Sequence, residues 1–146
     1  MKIVAKTDVG MVRESNQDSY TTGELPNGVA WAVVCDGMGG AAGGNVASST
    51  AVKVIAEQIT SSFRPGMSAN SIKNMMVSAI NAANISVYDI SCSNSELYGM
   101  GTTVVCAIVM EHTAYIAHAG DSRAYIVSHG ALTQLTRDHS VVQELS

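Results

Sequence analysis

Residues 28–40 read GVAWAVVCDGMGG, and this stretch decides the fold. Gly28 to Cys35 is an unbroken apolar run, rich in β-branched and aromatic residues that suit a pleated, buried surface, and it stops at Asp36. A buried strand that ends on a carboxylate and passes at once into glycines presents an oxygen ligand and nearby backbone carbonyls at a sheet edge. That arrangement suits a hard cation such as Mg²⁺ or Mn²⁺, which makes Asp36 the first candidate site residue. Two other readings of these residues stay open. Asp36 can be a turn former that caps the following segment. The glycines can also form a phosphate loop, although G-K-[ST] is missing and Asp36 would repel a phosphate unless a metal intervened.

Upstream of this run, Ile3 to Thr7 and Asp18 to Thr22 read as short strands, and Leu25-Pro26-Asn27-Gly28 supplies the turn into the third. Downstream, a helix follows the glycine-rich stretch Gly37 to Gly44. Ala47, Ala51, Ile55 and Ile59 recur at i+4, and Val52 widens the stripe. Pro65-Gly66 ends it. A second helix carries Ile72, Met76, Ala79, Ile80, Ala83, Val87 and Ile90 in steps of three and four, with its methionines as core packing. From Thr102 the period changes to two. Thr103 to Met110, Thr113 to Ala119, Ala124 to Ser128 and Ala131 to Leu135 read as an antiparallel meander, with turns at Glu111-His112, Gly120-Asp121 and His129-Gly130. Strands, two helices, then strands again, without βαβ alternation, predict an α+β fold with helices packed on one face of antiparallel sheet.

Composition narrows the function classes. A chain of 146 residues is one domain in length. Its 47% hydrophobic and 14% charged residues exclude the disordered class. A net charge of −4 with no Lys/Arg cluster lacks the electrostatic footprint of a nucleic-acid binder. No signal-peptide pattern is present, and no apolar run approaches membrane-spanning length, so no membrane partner is expected. Cys35, Cys92 and Cys106 are odd in number and have no C-x-x-C spacing, as expected of free thiols in a reducing cytoplasm.

Three further constellations carry candidate chemistry. In TDVGMVRESNQD, residues 7–18, Arg13 can offer a bidentate fork to a phosphate while Asp18 faces a metal or its water, but a surface pair of Arg13 with Glu14 or Asp18 explains the same residues. Asp121, in Ala119-Gly120-Asp121-Ser122-Arg123, sits at a turn between strands, where Asp is commonly just a turn former. Asp138-His139-Ser140 stands before an expected helix start, where capping competes with catalysis. His112, His118 and His129 have no partners at metal-ligand spacing.

Taken together, TDxGxxRxxNQD, DGMGG, MGTT at Met100 to Thr103, HxGDSR at His118 to Arg123, and TxDHSxxxEL at Thr136 to Leu145 form an ordered series. This series resembles the bacterial branch of the PPM/PP2C-type metal-dependent protein serine/threonine phosphatases and spans nearly the whole chain. The resemblance implies an α/β/β/α sandwich with two Mg²⁺ or Mn²⁺ ions at one edge, and a weaker third. By the same resemblance, Asp36 bridges both metals, Gly37 gives its carbonyl to one, Asp18 acts on the water between them, Arg13 holds the substrate phosphate and Asp121 serves the third metal. Implied substrates are phosphoserine and phosphothreonine proteins, including a Ser/Thr protein kinase, in cytoplasmic signalling.

The sequence departs from the family pattern in two ways. S-D-G and D-N motifs that supply further acids are missing, since after Asp121 only Asp138 and Glu144 remain. The single domain therefore reads as incomplete at its C-terminus, with weak single-cation binding and self-association by dimerisation or strand exchange as expected consequences. Ala41 stands where bacterial relatives often carry a His that could protonate the leaving alkoxide. These departures keep a rival reading in view, a non-catalytic pseudophosphatase-like module that binds phosphoproteins or a partner kinase on the Arg13 side.

Overall fold

The computed structural model describes residues 1–40 and 42–138, and the backbone alone of 141–145. Ala41, His139 and Ser140, which figured in the sequence reading, lie outside the described residues. The element order is β1 (Asp18–Leu25), β2 (Val29–Met38), α1 (Gly43–Ser62), α2 (Ala69–Ser93), β3 (Gly101–Thr102), β4 (Val104–Val109), β5 (Ala114–Ala119), β6 (Tyr125–Ser128), β7 (Ala131–Gln134) and β8 (Val141–Leu145). A six-stranded sheet runs in the order β1-β2-β4-β5-β8, with the short β3 paired to the end of β2, and all its pairings are antiparallel.

Strand β2 is central because it pairs with three others, which its apolar, β-branched sequence allows. It joins β1 through Pro26-Asn27-Gly28, where Pro presets the first turn residue and Asn27 and Gly28 both take positive φ. Along β2, Trp31, Val33 and Cys35 are buried, whereas Val34 and Asp36 are exposed. The buried set meets Val104, Cys106 and Ile108 of β4 and Tyr115 and Ala117 of β5 in one core with both helices. Helix α1 contributes Ala47, Ala51, Ile55 and Ile59, each with at most 1% exposure, so the stripe read from i+4 spacing is the packed face. Helix α2 contributes Ile72, Met75, Met76, Ala79, Ala83 and Val87, and its methionines are core residues as expected. Ser68 caps it by accepting a bond from the Ser71 N–H at 3.2 Å.

The α+β class with helices on one face of antiparallel sheet is therefore as read from the sequence. Three local expectations are corrected. Ile3 to Thr7 is not a strand; Val4 to Thr7 instead line a cavity over Asp18, Tyr20 and Val34, on the sheet face away from the helices. The meander breaks after β5, because among the described residues β6 and β7 pair only with each other, and their Tyr125, Ile126, Val127 and Leu132 stay exposed. Among the described residues no helix follows Asp138, and Val141–Leu145 forms a strand against β5. Two adjacent valines favour extended backbone, and pairing satisfies N–H and C=O groups that β5 would otherwise leave open.

The fold predicts a large penalty for emptying the helix–sheet seam. Ile55→Ala should cost about 2–5 kcal/mol, because Ile55 is fully buried and the deleted atoms leave a cavity. Urea unfolding followed by circular dichroism measures this, and a loss below about 1 kcal/mol would contradict the assigned core.

Candidate active site

The register of β1 against β2 decides where the acids go. Asp18 lies directly opposite Asp36, at the ends of their strands where the sheet opens to solvent. Directly opposed residues of an antiparallel pair put their side chains on the same face, so the two carboxyls are neighbours. The Asp36 carboxyl is pushed up from its ordinary value by partial desolvation first, then by the hydrogen bond and charge of Asp18 and by the charge of Asp121, while the Arg13 guanidinium opposes the shift. Three residues singled out in two other sequence motifs thus act on the Asp36 carboxyl.

Backbone contacts hold this carboxylate in place. Gly37 N–H donates to the Gln17 carbonyl at 3.0 Å, tying the residue after Asp36 to the residue before Asp18. A Cβ on Gly37 would sit 2.0 Å from the Gly44 carbonyl oxygen and 2.8 Å from that of Gln17, so only glycine fits. Gln17 Nε2 also donates to the Gly40 carbonyl at 3.2 Å, and Gly44 N–H donates to that of Gly39 at 2.9 Å. Glycines 37–44 therefore serve close backbone packing where β2 meets α1.

On the other side, Asp36 N–H donates to Thr103 Oγ1 at 3.0 Å, and Thr103 N–H donates back to the Asp36 carbonyl at 2.9 Å. The Thr102 hydroxyl reaches the same carbonyl at 3.2 Å. Gln17, Thr103 and Ser122 were not named as site residues from sequence. The adjacency of Gln17 to Asp18 and the pair of threonines in MGTT were the available signals.

The remaining motifs divide. Asp8 Oδ1 accepts from Gly10 N–H at 2.8 Å as a turn former, and Asn16 Oδ1 accepts from Asp18 N–H at 3.0 Å, fixing the start of β1. Arg123 grips Asp138 with two bonds of 3.1 Å, so Asp138 braces the segment before β8. This pair raises the Arg123 pKa through hydrogen bonding. His118 is buried on the sheet and bonds the Arg137 carbonyl through Nε2. Cys35 precedes Asp36 but faces the core, and burial pushes its thiol up to about 12, with the Thr102 contact opposing. A thiolate nucleophile is therefore not available there at neutral pH.

Chemically, two like-charged carboxylates held in contact call for a proton or a cation between them. The donors are oxygens, which suits Mg²⁺ or Mn²⁺. Among the described residues, no three His, Cys, Asp or Glu side chains are grouped to hold a metal, so the site's centre is the Asp18–Asp36 pair, with Asp121 acting through its charge.

Comparison with known proteins gives the geometry a context. The family model described as protein phosphatase 2C matches residues 12–144. The chain is similar to a putative protein phosphatase 2C-type of Streptococcus pyogenes, with 38% identity over 146 residues, 99% of this chain and 58% of the relative. It is similar in structure to the S. agalactiae serine/threonine phosphatase, with a TM-score of 0.82 and 33% identity over 92% of this chain and 54% of that one. It also resembles the catalytic domain of the serine/threonine protein phosphatase PstP in complex with two manganese ions, with a TM-score of 0.75 and 31% identity over 91% and 54% of the two chains. The chain thus spans a little over half the length of these relatives.

Charge crowding predicts a pH signature in the cation-free protein. Because the folded-state pKa of Asp36 lies above its unfolded value, its protonation contributes stability that is fully present below the ordinary value of 3.8 and is lost as pH rises through the folded value. Asp36→Asn should therefore be more stable than the parent at pH 7 without divalent cations, by no more than about 0.5 kcal/mol after solvent screening, or roughly 1–2 °C in Tm. The difference should shrink toward pH 3.8. Thermal melts in chelator across that range read it out, and a less stable variant at pH 7 would contradict the repulsion.

Proposed function

The chain belongs to the protein phosphatase 2C family, and from that premise we propose that its Asp18–Asp36 edge takes part in cation-dependent hydrolysis of phosphoserine and phosphothreonine in proteins. The observation that carries this reading is the pairing of Asp18 and Asp36 across two strand ends, with the charges of Asp121 and Arg13 reaching Asp36. When bound, Mg²⁺ or Mn²⁺ would polarise a water and neutralise charge on an in-line phosphoryl transition state, so no protein nucleophile is needed. The PstP relative's two manganese ions support a two-cation site, and a weaker third position is part of the same proposal.

Asp36 would be the bridging ligand and the Gly37 carbonyl a neighbouring one. Asp18 would ligate and take the proton of the attacking water, while Asp121 would serve the weaker position. The Arg13 guanidinium would orient the substrate phosphate through a planar fork. Substrates would include a Ser/Thr protein kinase, with the reaction taking place in the cytoplasm as part of signalling. The three free cysteines and the lack, among the described residues, of a helix able to cross a membrane are consistent with that setting. We further infer self-association, supported by the exposed Tyr125, Ile126, Val127 and Leu132 of the β6–β7 hairpin. The mutual repulsion of the acid pair and the relatives' names as phosphatases favour hydrolysis over a non-catalytic phosphoprotein-binding module.

The test is hydrolysis of p-nitrophenyl phosphate and a phosphothreonine peptide in excess Mn²⁺. Asp36→Ala should lower turnover by about 100-fold or more, since it removes the bridging ligand. Arg13→Ala should raise KM about tenfold with a smaller effect on kcat. Equal turnover by the parent and Asp36→Ala would sink the reading, and a folded parent with no Mn²⁺-dependent turnover would support the binding module instead.

A further inference from the structure

Strand order places β4 between β2 and β5, and Thr103 stands at the head of β4. Its side chain is 3% exposed. On the β2 side, Thr103 Oγ1 accepts the Asp36 N–H at 3.0 Å, and the Thr103 N–H returns a bond to the Asp36 carbonyl at 2.9 Å. On the β5 side, the same hydroxyl lies 2.5 Å from the hydroxyl of Ser122, the residue next to Asp121. One hydroxyl therefore spans from the backbone of Asp36 to the turn that carries Asp121.

The two carboxylates it connects repel each other, since the Asp121 charge acts on Asp36. Repelling groups on separate strand ends drift apart unless the scaffold fixes them. We propose that Thr103 is a positioning residue, whose hydroxyl, with that of Ser122, sets the separation of Asp36 and Asp121 and so the affinity of this edge for a divalent cation. The inference rests on the cation-site reading above. The methyl group of Thr103 has a separate role, because it packs where Gly120 approaches: a Cβ on Gly120 would lie 2.9 Å from Thr103 Cγ2. Hydroxyl and methyl can therefore be separated by substitution.

The experiment is titration with Mn²⁺ alone, read by electron paramagnetic resonance of free Mn²⁺, on the parent chain and on Thr103→Val, Thr103→Ser, Ser122→Ala and Asp36→Asn. Circular dichroism melts confirm that each is folded. Thr103→Val and Ser122→Ala should each weaken Mn²⁺ binding about tenfold, in the range for groups that orient metal ligands, whereas Thr103→Ser should stay within about threefold of the parent. If Thr103→Val does not fold, Ser122→Ala carries the test, because Ser122 is half-buried and its loss leaves the Asp36 N–H its acceptor. Parent-like binding by both folded variants, or by Ser122→Ala alone where Thr103→Val is unfolded, overturns the proposal. So does a loss in Thr103→Ser as large as that in Thr103→Val. If Asp36→Asn also binds like the parent, the cation site itself is wrong, and a loss confined to Asp36→Asn refutes Thr103 alone.

Discussion

Antiparallel pairing of β1 with β2 sets Asp18 against Asp36, and this enforced contact between two carboxylates is the constraint around which the rest of the edge is organised. Left free in solvent, two such side chains separate. Here the backbone ladder, with every residue from Asp18 to Leu25 matched to one from Asp36 back to Val29, denies them that relief. Desolvation and the Asp121 charge add to the strain, and among the described residues the Arg13 guanidinium opposes it. On the proposed reading, an edge that concentrates negative charge in this way would be preorganised for a divalent cation, because the unfavourable arrangement is assembled as the sheet forms rather than when the ligand arrives.

Holding that arrangement takes backbone contacts more than side chains. Gln17, Gly37 and Gly44 meet so closely that no side chain fits at Gly37. The glycines, which resemble a phosphate loop on the page, thus let β1, β2 and the start of α1 converge. Thr103 completes the clamp from β4, so Asp36 is held through its N–H and its carbonyl while its carboxylate remains exposed to act.

Much of this was legible in the sequence because the relevant signals are local. Strand β2 announces itself as an apolar run, α1 and α2 as stripes at three and four residues, and the Asp36 motif as a strand end followed by glycines. What was not legible depends on partners. Ile3 to Thr7 has strand-like residues, but no edge is paired with it in the structure. Asp138-His139-Ser140 read as a helix start, yet Val141–Leu145 pairs with β5, since a short segment's state is set by the edge beside it as much as by its own residues. Thr103 and Gln17 stand in quoted motifs but were not assigned to the site, for a related reason. Their value lies in bonds across 67 residues and across the β1–β2 junction, which no spacing rule reveals.

The alternation of β2 links stability to site geometry. Val33 and Cys35 face the helices with no measurable exposure, and Val34 and Asp36 face away. Because side chains alternate with a period of two, a slip of one residue would send Asp36 into the apolar seam and Cys35 to the solvent. Burying an ionised carboxylate among Ile55, Ile59 and Cys106 would cost several kcal/mol, comparable to the whole stability of a small domain. The core therefore enforces the register, and the register delivers Asp36 to Asp18. The residues that stabilise the fold and the residues that would hold a cation are different residues, but one constraint positions both.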